Sequence, residues 1–346
     1  MKNVLFKIKD IAPWIVTILI FFFIFREYPP SKIWGATKHL KLLHFSLFAV
    51  VYFFVMYLFD SVVITRTVKL FSKPVKLKDV ILGRGITYLI MVINYAASQA
   101  TFAYYLKRRY KIPISQSLSI FFFMIVIDLF WLINFAFLGT FLQHITYNGI
   151  DFGEYVRMIS LILYLSLILW IGFWRGWFDR LIRVKILNGA MHWVRSKKAF
   201  AVFRKATVSD YMKVCLMRLP LHMMILIGMY LAVKTFGVTI PFIKILCYIP
   251  IVFIIGSLPI TPGGLGTTNV AMVALMSPYI SGDVIASGEV SKAEIMLAIS
   301  LIWMFANYFM KAITGTVLYA NNKKRLFEDV SLIKDIGVIP ISNVVE

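Results

Sequence analysis

Uncharged apolar runs close to twenty residues long recur along this chain, and they leave few ways for it to fold. ISLILYLSLILWIGFW, residues 159–174, is one of them. Hydrocarbon offers no water to bond exposed amides and carbonyls, so only helices and closed barrels can cross a bilayer. Barrel strands are short, about ten residues, and alternate in hydrophobicity. These runs are continuous. The fold class they predict is therefore all-α, a polytopic helical membrane protein. Charged residues make up only 15% of the chain against 60% hydrophobic, which excludes a water-soluble class. Spanning potential falls at roughly 11–25, 40–64, 86–106, 117–142, 156–174, 211–236, 242–260, 265–279 and 293–319. The first run follows Lys2, Lys7 and Lys9 but lacks a small-residue cleavage site, so it reads as a retained span.

The formal charge of +21 lies mainly between the runs. There it sets orientation and meets anionic headgroups, so it marks a membrane surface and not nucleic acid. The connector 175–213 has ten Lys or Arg against Asp179 and Asp210, and 66–84 has six against Asp79. The positive-inside rule puts both in the cytoplasm. Connectors 143–155 and 280–294 are acid-rich and should face outward. Connector 26–41, with Arg26, Lys32, Lys38 and Lys41, goes against the rule.

KRRYK, residues 107–111, also asks for the cytoplasm, although the preceding basic connector ends only at Arg84. The segment between must then enter and return on one side, unless 86–106 is a full crossing with KRRYK outside. Asn94, Ser98, Gln99 and Thr101 supply the polar groups that a bend needs. The same parity applies to 242–279, because 211–236 runs outward and 293–319 must come back to Lys323, Lys324 and Arg325. There SLPITPGGLGTTNVAMVALM, residues 257–276, carries Pro259, Pro262, Gly263, Gly264 and Gly266. The organisation predicted is one integral membrane domain over 1–346. Its first half, 40–174, has a re-entrant or broken-helix hairpin near 86–106. Its second half, 211–320, has another near 242–279, and 175–210 is a basic cytoplasmic connector. Hairpins opening from opposite faces fit inverted repeats, as in many transporters. Both termini should be cytoplasmic.

Irregular backbone at membrane depth must be buried in protein or face a watery cavity. A helix restarting after TPGG would present free amides and a positive dipole end to an anion. The candidate substrate-binding residues are Thr261, Gly263, Gly264, Gly266, Thr267, Thr268 and Asn269, with Asn94, Ser98 and Gln99 opposite. The other reading is a tight turn whose glycines serve close packing. Asp128, in the middle of SIFFFMIVIDLFWLINFAF, is costly in hydrocarbon unless paired or hydrated. Its candidate partners are Arg218 and Lys311, with Asn134 and Asn307 completing a polar network. Arg218 and Lys311 could instead snorkel to the surface. Trp177, Phe178, Trp193, Phe200 and Phe203, set among Arg180, Arg183, Arg195, Lys197, Lys198 and Arg204, fit interfacial helices on an anionic leaflet.

Catalytic signatures are scarce. His39, His44, His144, His192 and His222 form no metal spacing, there is no P-loop or GxSxG, and Cys215 and Cys247 sit in apolar segments. No metal, cofactor or catalytic residue is predicted, and an enzyme is the less favoured class.

The Pro and double-Gly stretch at 257–276 resembles the hairpin of the lysylphosphatidylglycerol synthase transmembrane-domain family, the flippase-like membrane proteins. NYAASQATFAYYLKRRYKIPISQSLSIFFFMIVIDLF, residues 94–130, is similar to that family's first-half pattern. Two departures stand out: Asn269 where the family often has Glu, and AlaAlaSerGln in the first bend where it often has Pro and Gly. Without the aminoacyl-transferase domain fused in some members, the resemblance implies the translocating half alone. The expected function is a lipid translocase in the cell inner membrane, moving an anionic or phosphate-bearing lipid. The alternatives are a scaffold for an envelope synthase, or a membrane-embedded transferase using Asp128 as base.

Overall fold

The computed structural model describes residues 2–147, 150–177, 185–258 and 260–327. Pro259, Phe178, Asp179, Arg180 and Arg183 lie outside the described residues. The all-α expectation holds apart from one two-residue ribbon, in which β1 (Thr146–Tyr147) pairs antiparallel with β2 (Ile150–Asp151).

Five helices are long and apolar enough to cross a membrane. They are α3 (Leu42–Phe71), α6 (Ile114–Leu142), α7 (Gly153–Arg175), α10 (Val208–Lys234) and α14 (Lys292–Phe327). A sixth span is available if α1 (Lys2–Glu27) and α2 (Pro30–Thr37) count as one. The two are bent by 77° at Pro29 and Pro30, where a proline at N1 suits a fresh helix start. The sequence reads this stretch as a connector. In the structure α2 is turned back onto α14.

Both expected breaks are present. α4 (Leu77–Met91) and α5 (Tyr95–Tyr110) fold against each other across residues 92–94. α11 (Phe242–Ser257) and α12 (Thr267–Met276) do the same across 258–266. None of these four arms reaches the roughly twenty residues that a crossing needs. The first hairpin is wider than the span read at 86–106, because α4 begins inside what looked like a basic connector.

The two halves repeat one packing scheme. α3 packs on α10, α4 on α14 and α11 on α6, while α5 lies on α6 as α12 lies on α14. Exchanging α3–α6 for α10–α14 preserves every pairing. α3 and α10 are antiparallel: Lys41 N–H donates to Thr235 at 2.8 Å, Tyr52 packs against Gly228, and Asp60 reaches Arg218. This is the arrangement expected of inverted repeats. At Gly139 an added Cβ would lie 2.9 Å from Cys247 Cα, so α6 and α11 approach nearly to backbone contact.

α7 packs beside α6, and between α7 and α10 run α8 (Lys185–Ser196) and α9 (Ala201–Lys205). Phe203 was expected among the interfacial anchors. It is buried instead, stacked on Trp174 and edge-on to Trp170, because α9 packs against α6. Trp177 and Trp193 are exposed, as anchors would be, and Lys197 Nζ lies 4.0 Å from the Trp193 ring centre. The short α13 (Asp283–Ala286) precedes α14.

Candidate functional site

Asp128 stands at the midpoint of α6, and it is paired. Arg218, on α10, donates through Nε to Asp128 Oδ1 at 2.6 Å and through Nη2 to Oδ2, a bidentate grip. The same guanidinium donates through Nη1 to Asp60 Oδ1 at 2.7 Å, from α3. Asp60 Oδ2 accepts from Arg84 Nε of α4 at 3.2 Å. His222, one turn beyond Arg218, places Nε2 3.1 Å from Asp128 Oδ1. Four helices from both halves thus meet in one chain of charges, Arg84–Asp60–Arg218–Asp128–His222. The side chains of Arg84, Asp60 and Arg218 are only 11%, 17% and 12% exposed.

Sequence reasoning found Asp128 and Arg218 and missed the rest. In sequence Arg84 reads as one of the connector cations, yet α4 carries it inward to Asp60. Asp60, a lone carboxylate in an apolar run, carried the same signal as Asp128. The snorkelling alternative for Arg218 does not hold, because all three of its bonds point into the bundle. Asn134 takes no part in the network: it donates to Phe130 O at 2.7 Å and accepts from Tyr164 at 3.2 Å. Asn307 lines a small pocket with Tyr52, Phe53 and Trp303.

Lys311, on α14, is not bonded to Asp128. Its ammonium lies 5.5 Å from the Tyr308 ring centre. Arg84 leaves Nη1 buried without a partner.

At the second hairpin Gly263, Gly264 and Gly266 all take positive φ, +60°, +75° and +83°, which is why glycine recurs there. The polar triplet behind them is largely engaged in holding the turn. Asn269 Oδ1 accepts from Gly266 N–H at 3.1 Å, and its Nδ2 donates to Ser300 Oγ on α14 at 3.0 Å. Thr267 Oγ1 donates to Gly264 O at 3.1 Å and sits 3.1 Å from Thr261 Oγ1. Thr268 packs between Gly256 and Gly264, across the turn. At the first hairpin Asn94 caps α5 by accepting from Ala97 N–H at 2.9 Å. Ser98 donates back to Thr87 O at 2.9 Å, tying the two arms together, and Gln99 is buried.

α14 packs against one arm of each hairpin, α4 of the first and α12 of the second. Tyr308 lies against the second turn, its hydroxyl 2.7 Å from where a Cβ on Gly263 would stand. Along the antiparallel α4, Leu89 faces Gly315 and Met91 shares a cluster with Met310. One helical turn further, the first break at 92–94 comes level with Lys311. Both breaks therefore converge on residues 308–311 of α14.

A family described as Lysylphosphatidylglycerol synthase TM region matches residues 11–315. The chain belongs to that family. The match takes in both hairpins and every member of the charge network, and it makes this a multi-pass membrane protein related to lipid handling. Neither the curated proteins nor the solved structures gave a match.

Proposed function

We propose that this protein is a lipid translocase that carries an anionic or phosphate-bearing headgroup across the cytoplasmic membrane, with both termini in the cytoplasm. The observation that carries this reading is the convergence of two chain breaks on one turn of α14, beside a buried set of charges. Broken backbone at depth leaves polar groups for a headgroup. Charges there are expensive to hold unless they serve an ion or substrate path. The inverted packing of the halves supplies two related arrangements, each closing one hairpin and opening the other, as alternating access requires. In this reading Thr268 meets the headgroup, while Thr261, Thr267, Asn269 and the bonded amides of Gly264 and Gly266 hold the turn. Asn94, Ser98 and Gln99 do the same at the first hairpin. The Arg218 clasp on Asp60 and Asp128 opens and closes as the halves rock.

Proteoliposomes with labelled lipids test the proposal. Leaflet exchange should exceed that of protein-free vesicles for at least one member of a panel that includes polyprenyl phosphates. No excess for any of them would end it. A scaffold for an envelope synthase is favoured by one observation, the internal commitment of both ends of the Asn269 amide. That reading requires co-purification with a synthase, and unchanged exchange when Thr267, Thr268 and Asn269 are all replaced by Ala.

A further inference from the structure

The two sides of the bend at Pro29 and Pro30 are held in different ways. Beyond it, α2 is fixed to the start of α14 and the loop before it. Ile33 and Ala36 are buried there, Lys32 Nζ lies 3.4 Å from Glu294 Oε1, and His39 Nε2 lies 3.7 Å from Glu289 Oε2. Before the bend the hold is apolar. Thr17, Ile20, Phe21 and Ile24 fall on one helix face; the first and last are buried, and Ile20 and Phe21 are partly buried against the second-half core. The same spacing begun two residues earlier, Ile15, Ile18, Leu19 and Phe22, is the opposite face and is exposed.

The packed face of α1 meets the glycine turn. α1 touches α12 and the turn at 262–264, and a Cβ added to Gly266 would lie 2.7 Å from Ile20 Cγ2. No hydrogen bond or ion pair joins α1 to this hairpin among the described residues; Thr17 bonds back to Pro13 O at 2.8 Å. At the joint the prolines have no N–H to give, and the bonds around them, Tyr28 N–H to Ile24 O and Lys32 N–H to Pro29 O, each stay on their own side. Irregular backbone at membrane depth must be covered by protein or open to water, and α1 is part of that cover. Lipid tails are as apolar as the face they would replace, so in a bilayer this contact parts at little cost, and no polar group loses a partner.

We propose that α1 is a lateral gate over the second hairpin: it swings at Tyr28–Pro30, with α2 as its fixed post, and admits a lipid from the bilayer to Thr268 at the glycine turn. An amphiphile has to enter sideways, because its acyl chains stay in hydrocarbon while its headgroup goes to the turn. The inference rests on the translocase reading only for what passes the gate.

The test uses the full chain in proteoliposomes, with two readouts. One is leaflet exchange of labelled lipids. The other is labelling of Thr268→Cys by a lipid-soluble maleimide, against the parent protein with its native Cys215 and Cys247 as background. Ile20→Ala and Phe21→Ala trim the closed contact and raise the share of open gate, so exchange and labelling should both quicken about three- to tenfold. Phe22→Ala, on the lipid face, should change neither. Ile20→Cys combined with Gly266→Cys would place the two Cβ atoms 3.3 Å apart, close to the separation in a disulfide. Oxidation of that pair should stop exchange and labelling, and reduction should restore them. A side chain at Gly266 strains the turn, so a reduced pair without exchange is decided by labelling alone. Slower or unchanged labelling in both Ile20→Ala and Phe21→Ala, or labelling that persists in the oxidised pair, would overturn the gate. Faster labelling with no exchange in any variant ends the translocase reading and leaves the gate standing. Native exchange that neither Ala variant quickens has the reverse meaning.

Discussion

Arg218 grips Asp128 along one edge of its guanidinium, Nε to Oδ1 at 2.6 Å and Nη2 to Oδ2, and turns its remaining nitrogen to Asp60 at 2.7 Å. One cation thereby ties α6 and α3 of the first half to α10 of the second. Removing one partner of a buried pair leaves the other charge unmatched, at about 3–5 kcal/mol, whereas removing both is often close to neutral. Arg218→Gln and Asp128→Asn should each lower the melting temperature more than the double variant does, a difference that a double-mutant cycle measures. Arg218→Lys should also be destabilised, because an ammonium cannot reproduce the fork.

The second hairpin turn should tolerate no side chain at Gly264. Its φ is +75°, and an added Cβ would lie 2.6 Å from Thr268 Oγ1 and 2.8 Å from the backbone oxygen of Gly256. The hydroxyl can rotate away and the carbonyl cannot. Gly264→Ala should cost about 1–3 kcal/mol. Gly35→Ala is the contrasting case: nothing stands within 4 Å of its Cβ, and helix propensity favours it by up to about 1 kcal/mol. Thermal melts of the two variants should move in opposite directions.

Asn269 bonds Gly266 N–H and Ser300 Oγ at once, from a buried position. Asn269→Ala removes a cap and strands a buried donor, so about 1–3 kcal/mol should be lost. Asn269→Asp keeps the acceptor and loses the donor. It should fall between the native protein and the Ala variant in hydrogen-exchange protection of the first turn of α12.

Outside the spans, Asp151 accepts from Gly153 N–H at 2.7 Å and pairs with His144 Nδ1 at 2.8 Å. The amide of Gly153 first, and His144 next, hold its carboxyl below the ordinary value of 3.8. A depressed folded value means that the carboxylate's contribution is present above 3.8 and lost as the pH falls through the lower, folded value. Acidification through that window should loosen the start of α7, seen as faster amide exchange. Asp151→Asn should remove the pH dependence.

Much of this architecture was legible because lipid imposes simple rules. Apolar length located the five long helices, and Asn94 and the glycines of 263–266 marked the breaks, since a buried turn needs caps and positive φ. Asp128 stood out because a carboxylate in an apolar run has no cheap explanation. Asp60, in an apolar run of its own, carries the same signal. Arg84 could not be placed from sequence, because a cation just past a basic connector looks the same whether it points to water or inward. The turn at Pro29 and Pro30 was equally ambiguous between a connector and a folded-back helix.

By itself, then, the sequence determined that the chain crosses a membrane as helices, where those helices break, and that a charge is held at depth. Each follows from a local property, the transfer cost of a residue or the φ that a turn demands. Only the tertiary structure decided which charges meet, because the partners lie 24, 90 and 158 residues apart and a Coulombic bond depends on distance in space. It also decided that one helix, α14, packs against both hairpins, on α4 of the first and α12 of the second.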